Sequence, residues 1–453
     1  MQELNIELFR NLIKTKKITE LREIFEEYNS VDIADNINEL NEDELLFLFK
    51  VIPSYNSAEV FTYLDQNAKE KLINLFSNQD IQKVLEEIYT DDIVDFIEDL
   101  PTNLIRKVLR SINKETRNDV NKILNYPEDS IGSIMNIGYV ELEEDDTCKE
   151  ALAKIREQGD KAESISYAYI VDKKRTLNGY ISLKNIIMSN EKEVIGDLME
   201  KDIISVMYED DKEKASLIFK KYDMSVLPVV NKENKLIGVI TADDILDVVT
   251  EEATEDIQIM SGSSPLDGMY MDSSVFSLFK KRFFWLLILM ISAVFTGMII
   301  SKSESILINI PALAIFMPML NGTAGNAGNQ TTGIVTRGVS IETISTKDWG
   351  RVVWKEIRVA LLLGIGMSIC AYGWMWIEKW LGIIDVTDTS LFFVVSLSMF
   401  ISIVIAKVIG ASLPILAKLC KLDPAVMAGP FVTTLVDALT VALYYGLAAL
   451  LLI

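Results

Sequence analysis

Histidine is missing altogether from the chain, and with it go the commonest general base, the Ser-His-Asp triad and the imidazole-built zinc site. Hydrolytic catalysis is therefore not expected, and the chain reads as a non-enzyme. The dipeptide Gly-Lys is also absent, so no Walker-type phosphate loop can be drawn and transport driven by such an ATPase has no support. Cysteine is scarce: Cys148, Cys370 and Cys420 fall at no metal or redox spacing and read as structural filler. The first 30 residues carry charges throughout and no unbroken apolar stretch, so no cleaved secretory signal is expected.

Positive charge is in deficit in one region only. Residues 1–282 hold 34 Lys/Arg against 57 Asp/Glu, a net of −23, whereas residues 283–453 hold 10 against 9. Two regions so different belong in different solvents. In the second, runs such as Phe283–Ile300, Ala360–Ile377 and Leu391–Ala406 approach the roughly 20 residues that cross a hydrocarbon core. Five spans are predicted, at 283–302, 308–333, 357–377, 390–417 and 424–453. Lys280, Lys281 and Arg282 precede the first span. Arg337, Lys347, Arg351, Lys355 and Arg358 surround the second-to-third connection, and Lys418 and Lys421 fall in the fourth-to-fifth turn. Basic residues mark the cytoplasmic side, so the amino end is expected in the cytoplasm and the carboxyl end outside an inner cell membrane.

The acidic region has its own subdivisions. Residues 1–125 read as short amphipathic helices in which the phrases Asp32-Ile-Ala-Asp35, Ala58-Glu-Val-Phe61 and Asp91-Asp-Ile-Val-Asp95 recur. Stacked helical hairpins forming a small superhelix, or an irregular helical bundle, fit that repetition. Residues 126–250 contain a duplication. The stretch 170–187 aligns without a gap onto 229–246, Ile131-Gly-Ser-Ile-Met135 mirrors Ile195-Gly-Asp-Leu-Met199, and Asp145-Asp146 mirrors Asp210-Asp211. Each copy is predicted as a βαββα unit with a capped last helix. The pattern resembles a tandem pair of CBS modules, which commonly act as regulatory domains and often bind adenine nucleotides. In that light Thr241 and Asp244 match a ribose-contacting motif and ATP a modulator, while the same two residues would equally cap the following helix. Residues 251–282 read as a connecting helix and a polar linker containing Gly262, Pro265 and Gly268, leading to the membrane region 283–453.

The chemistry concentrates in two spans. Pro318-Met-Leu-Asn-Gly-Thr-Ala-Gly-Asn-Ala-Gly-Asn-Gln330 is too polar for a helix facing lipid. It reads as broken, amide-lined backbone beside a watery cavity, with Asn326, Asn329 and Gln330 supplying neutral oxygens. A tight helix contact through Gly325 and Gly328 is the other reading. Asp437 is the one ionisable side chain of the fifth span, and Thr433, Asp437, Thr440 and Tyr444 share a face at helical spacing. A lone acid at bilayer depth costs roughly 2.5–3.5 kcal/mol and marks an ion path or an internal pair, for which Lys407 is the available cation. Mg²⁺ dehydrates reluctantly and suits few charges with several amide or hydroxyl oxygens. Two chains about an axis would place two such carboxylates around one ion.

An acidic helical domain, a CBS pair, a connecting helix and five spans with Gly325-Asn-Ala-Gly-Asn-Gln330 and Gly429-Pro-Phe-Val-Thr-Thr-Leu-Val-Asp437 resemble the MgtE family of magnesium channels along essentially the whole chain. The resemblance implies a multidomain membrane protein: an all-α superhelical N-domain, an α/β tandem CBS pair, a connecting helix and a five-helix transmembrane domain. It also implies a homodimeric Mg²⁺ channel with Asp437 as the pore acid. The cytoplasmic part would bind Mg²⁺ and hold the pore shut when the internal ion is ample. Matching regulatory acids are Glu59, Asp91 and Asp95; Asp211, Glu213, Asp223, Asp244 and Asp247; and Glu252, Glu255 and Asp256. Mutual repulsion among acids carrying a net of −23 agrees with ion bridging, because a bound dication relieves it. No nucleic-acid partner is expected. An ion-coupled Mg²⁺ secondary transporter and, from a different class, a nucleotide-sensing membrane receptor are the alternative readings.

Overall fold

A computed structural model describes residues 4–98, 100–266, 270–271, 273–386 and 388–453; Gly268 of the linker lies outside them. The chain forms two compact units, Met1–Val249 and Thr250–Ile453.

The first unit opens with ten short helices: α1 (Ile6–Lys14), α2 (Ile18–Glu27), α3 (Ser30–Ile37), α4 (Glu42–Val51), α5 (Ser54–Thr62), α6 (Gln66–Leu75), α7 (Asn78–Leu85), α8 (Thr90–Glu98), α9 (Thr102–Ser111) and α10 (Lys114–Ile123). Their starts are written in the sequence. Asn5, Asn29, Asn41, Asp65, Ser77 and Asn113 each turn a side-chain oxygen onto a free N–H of the first turn, where such a cap contributes about 1 kcal/mol. Helix α3 packs on α5, α5 on α7 and α7 on α9, while α4 packs on α6 and α8 on α10. This is a superhelical stack around one apolar core in which Phe61 meets Phe49 and Phe96 edge-on.

The duplication that follows is carried down to irregularities. Strands β1 (Glu141–Leu142), β2 (Tyr167–Val171) and β3 (Leu177–Ser182) form one sheet, with helix α11 (Cys148–Gln158) crossing between β1 and β2 and α12 (Leu183–Met188) after β3. After α13 (Ile195–Leu198), the second sheet repeats the plan with β4 (Val206–Met207), α14 (Lys212–Tyr222), β5 (Val226–Val230), β6 (Leu236–Thr241) and α15 (Ala242–Met260). Ile170 pairs with Gly179 and Val229 with Gly238, each followed by a bulge. The two copies also exchange segments. A Cβ on Gly179 would lie 2.6 Å from Met199 Sδ, and one on Gly238 would lie 2.7 Å from Met135 Sδ. Each Ile-Gly-x-x-Met phrase thus packs on the sheet of the other copy, so that neither copy is a separable module.

The second unit contains five long helices, α16 (Val275–Lys302), α18 (Leu313–Ser340), α19 (Trp349–Trp380), α20 (Ser390–Leu419) and α21 (Pro430–Leu452), with a short α17 (Glu304–Asn309) after the first. Helix α18 lies against both α20 and α21, α19 lies against α20, and α16 against α21. Segments Val275–Lys302, Thr346–Trp380, Ser390–Leu419 and Pro424–Leu452 are long and apolar enough to cross a membrane. Helix α18 falls outside that group because glycines, amides and threonines occupy its length. No residue of α16 is buried, which leaves an apolar surface that water would not tolerate; this is a membrane protein.

Two expectations change. The stretch 318–330 is not broken, since α18 runs unbroken through Pro318. Both its Gly325 and its Gly328 take up helix contacts, the former at Thr433 and Asp437 and the latter at Val432 and Ala406. The helix starts also differ, because α16 begins at the Ser274 cap and α19 at Trp349. Lys280, Lys281, Arg282, Arg351 and Lys355 are thus helical residues that hydropathy alone cuts away.

Candidate cation sites

Close approach of α18 to α20 and α21 shapes the first site. On Gly410 of α20 a Cβ would stand 2.6 Å from the Gly328 carbonyl oxygen, and on Gly325 one would stand 3.0 Å from Thr433 Cγ2 and 3.6 Å from Asp437 Oδ1. Only glycine admits backbones this near. The contact brings the predicted residues Asn329, Thr433 and Asp437 together: Asn329 Nδ2 donates to Thr433 Oγ1 at 2.7 Å. Among the described residues, Asn321 Oδ1, Asn329 Oδ1 and Asp437 Oδ1 are buried oxygens without a hydrogen-bond partner. Asn321, Gly325, Gly328 and Asn329 recur at helical spacing along one stripe of α18, and the Asn329 amide and the Asp437 carboxylate meet the α18–α21 contact along it. Asn326 and Gln330 are exposed one turn apart on α18 and do not join that set. Asn321 was not singled out from the sequence, though its spacing to Asn329 carried the signal. Thr440 and Tyr444 are buried, and the Tyr444 hydroxyl donates to the Leu313 carbonyl at 3.1 Å, which pins one end of the stripe.

Lys407 does not serve Asp437. Its ammonium is buried against Glu356, 3.3 Å away, and donates to Thr331 Oγ1 at 2.9 Å.

In the first unit, the start of α8 places Asp91 in a polar pocket of the duplicated region. Asn136 Nδ2 donates to Asp91 Oδ1 at 2.9 Å and to Glu163 Oε2 at 2.8 Å, and Asn136 Oδ1 accepts from the Gly138 N–H. Burial, then Asp244, Glu163 and Asp92, push the Asp91 carboxyl well above the usual range. Burial and Asp244 raise Glu163 to about 8 and Asp92 to about 6. Asp244 is itself raised, chiefly by burial. Asp92, Asn136 and Glu163 were not legible as site residues, because their meeting depends on contacts between residues 27 and 45 positions apart.

Of the other predicted acids, Glu59 acts with Asp92 and Asp243 on the Tyr63 hydroxyl, and Asp247 acts on Asp244. Glu59, Asp95 and Asp247 are exposed on α5, α8 and α15. Asp211 caps α14 by accepting the Glu213 N–H at 2.8 Å, and Asp223 ends that helix at φ +50°. Glu252 and Glu255 lie on α15, and so does Asp256, 3.8 Å from Arg337; burial and Asp423 raise the Asp256 carboxyl against the pull of Arg337. Among the described residues no three carboxylates or thiols are gathered closely enough to hold a bare metal ion. Pairs of acids with amide neighbours instead suit an ion that keeps its water.

Thr241 and Asp244 form the capping pair: the Thr241 hydroxyl donates to Asp244 Oδ2 at 2.6 Å. They are not among the lining residues of a cleft formed by Tyr167, Tyr169, Tyr180, Tyr222, Asp202 and Asp223.

The cluster around Asp91 has a consequence for stability. A carboxyl held above its usual value favours the protonated protein, so the stability it contributes is full below its unfolded value, 4.5 for Glu163, and is lost as pH rises toward 8. Metal-free protein is expected to melt lower at pH 8 than at pH 5, and added Mg²⁺ to raise the melting temperature more at pH 8. An equal Mg²⁺ effect at both pH values would contradict this.

Comparison with known proteins agrees along the chain. The profile of the MgtE divalent cation transporters matches residues 317–447, that of the MgtE intracellular N domain residues 28–129, and that of the CBS domain residues 131–190 and 195–251. The magnesium transporter MgtE of Thermus thermophilus is 32% identical over 435 residues, 95% of each chain. That of Bacillus subtilis is 30% identical over 429 residues, 92% of this chain and 93% of its own. The fold of a crystal structure of the soluble part of a magnesium transporter covers 55% of this chain and 98% of its own at 27% identity, with a TM-score of 0.52. The cytosolic domain of the Mg²⁺ channel MgtE in complex with ATP covers 53% of this chain and 98% of its own at 28% identity and a TM-score of 0.50. From its first helical stack to its last apolar helix, the chain belongs to the MgtE family of magnesium transporters.

Proposed function

We propose that the protein is a homodimeric Mg²⁺ channel of the cell membrane whose cytoplasmic part senses Mg²⁺ and closes the path. The observation that carries this reading is the α18–α21 contact at which Asn329 and Asp437 hold buried oxygens without partners, with a third such oxygen on Asn321 one turn before Gly325. Amide and hydroxyl oxygens hydrogen-bond the water of a hydrated dication, and a single carboxylate per chain attracts it without trapping it. Asp437, Asn329 and Thr433 bind the ion's shell, with Asn326 and Gln330 extending the path where a second chain meets the exposed side of α18. Residues 1–125 and 126–250 form the sensor, 251–282 the connector and 283–453 the five-span pore, with the amino end cytoplasmic and the carboxyl end external.

In the sensor, Asp91, Asp244 and their neighbours Asp92 and Glu163 repel one another and gain most from a hydrated dication. Glu59, Asp95, Asp211, Glu213, Asp223, Asp247, Glu252, Glu255 and Asp256 contribute at further faces. An ion shifts gating only by its differential affinity for the closed form, and this cluster provides a source of such a difference. The tyrosine-lined cleft is the proposed place for an adenine nucleotide as modulator. Its two aspartates and lack of a basic lining residue favour the Mg²⁺ complex over free ATP. This reading moves the nucleotide site from Thr241 and Asp244.

Uptake of Mg²⁺ into liposomes carrying the purified protein, with no proton or Na⁺ gradient, tests permeation. Uptake that follows the Mg²⁺ gradient and voltage alone supports a channel; uptake that requires a proton or Na⁺ gradient would make the protein a coupled transporter.

A further inference from the structure

Among the described residues, Lys407 is the one buried lysine or arginine, at 4% exposure. Three helices contribute to its surroundings. Its Nζ donates to Thr331 Oγ1 of α18 at 2.9 Å and lies 3.3 Å from Glu356 Oε2 of α19, and the Thr331 hydroxyl donates to that same carboxylate oxygen at 2.9 Å. Thr331 stands six residues from Gly325, the residue beside Asp437, or about 9 Å along the helix. A fixed positive charge is therefore held on the order of 10 Å from the level of Asp437, behind the face of α18 that meets α21.

Stability alone does not explain the arrangement, because replacing a buried ion pair by apolar side chains is often neutral or stabilising. Electrostatics at the path does. We infer that Glu356 is a charge-compensating, positioning residue of the cation path: it cancels the Lys407 ammonium, whose bare field would repel a permeating dication. This rests on the reading of the α18–α21 stripe as that path. At roughly 10 Å and an effective dielectric of about 20, an uncancelled unit charge lowers occupancy by a monovalent cation on the order of tenfold. Because the energy scales with ionic charge, the factor for a divalent ion is the square, on the order of a hundredfold.

The experiment compares Mg²⁺ influx into liposomes for the full-length wild type, Glu356→Gln, and the double variant Glu356→Gln with Lys407→Met, each checked for a monodisperse folded peak in detergent. Charge compensation leads to a loss on the order of a hundredfold in Glu356→Gln and to recovery within severalfold of wild type in the double variant. The double variant keeps an amide at position 356 but loses the Lys407 donor to Thr331, so a clamp that acts by hydrogen bonding alone would leave it at least as impaired as the single variant. That result, or wild-type influx in Glu356→Gln, overturns the inference. If Glu356→Gln does not fold, Glu356→Asp decides, since it keeps the charge: influx within severalfold of wild type supports compensation, and a loss beyond tenfold overturns it. Wild-type protein that passes no Mg²⁺ would instead defeat the path itself, a result distinct from a loss confined to the variants.

Discussion

Replacing Asp437 by asparagine is expected to cut Mg²⁺ influx by more than a hundredfold while leaving the protein folded and, if anything, harder to melt. The two effects share one cause. Asp437 Oδ1 is buried without a hydrogen-bond partner, and a lone acid at bilayer depth costs roughly 2.5–3.5 kcal/mol. Asparagine keeps the volume and removes that cost. For the ion the change is severe. Across one intervening water, about 5 Å, a carboxylate attracts a dication by about 7 kcal/mol at an effective dielectric of about 20. If competing hydration cancels half of this, more than two powers of ten in occupancy are still lost. Influx followed with a Mg²⁺ indicator inside liposomes, beside a melting curve in detergent, separates the two. Unchanged influx would remove Asp437 from the path.

A second large effect is expected at Gly429, where the end of α15 meets the start of α21. Gly429 has φ +58° and ψ −125°, a region costing an L-residue about 1–3 kcal/mol. A Cβ there would also collide with the Met260 carbonyl oxygen. Met260 closes α15, the helix bearing Glu252, Glu255 and Asp256, and Pro430 opens the helix that presents Asp437 two turns later. Gly429→Ala is therefore expected to separate the two helix ends, lower the melting temperature and leave an influx that no longer falls when the sensor is loaded with Mg²⁺. Gly262→Ala, facing Pro430 Cγ at 3.1 Å and φ +76°, should produce a milder form of the same change. Full Mg²⁺ inhibition in Gly429→Ala would mean that this junction does not transmit the signal.

What the sequence disclosed follows from the range of the interactions involved. Amphipathic spacing acts within a few residues, so the short helices of the amino-terminal stack were marked by recurring phrases such as Asp32-Ile-Ala-Asp35 and Asp91-Asp-Ile-Val-Asp95. The duplication was legible down to the paired glycines Gly179 and Gly238, since both copies repeat the same local alternation. Asp437 was conspicuous as a lone charge in an apolar run, and the composition of α18 betrayed its unusual surroundings. Pro318 misled, because α18 continues through it although its ring nitrogen cannot donate to the Ala314 carbonyl. Glu356 was invisible as a buried partner of Lys407: in sequence it sits between Lys355 and Arg358 and looks like part of a basic connection. Asn136 and Glu163 were hidden for a related reason, since neither shares a motif with Asp91 and only the folded chain brings them together. Thr241 and Asp244 carried two readings at once, a nucleotide contact and a helix cap, and the capping hydrogen bond between them is formed.

In the proposed function a hydrated dication passes along the Asp437 stripe, and the same ion, bound by the acidic residues of the first unit, stops it. Mg²⁺ influx into liposomes should be measured with the cytoplasmic face held at low and then at high Mg²⁺, at constant driving force. Influx is expected at low cytoplasmic Mg²⁺, with suppression at high Mg²⁺ and loss of that suppression when Asp91 and Asp244 are both changed to asparagine. Influx indifferent to cytoplasmic Mg²⁺ in the wild type would contradict the proposed function.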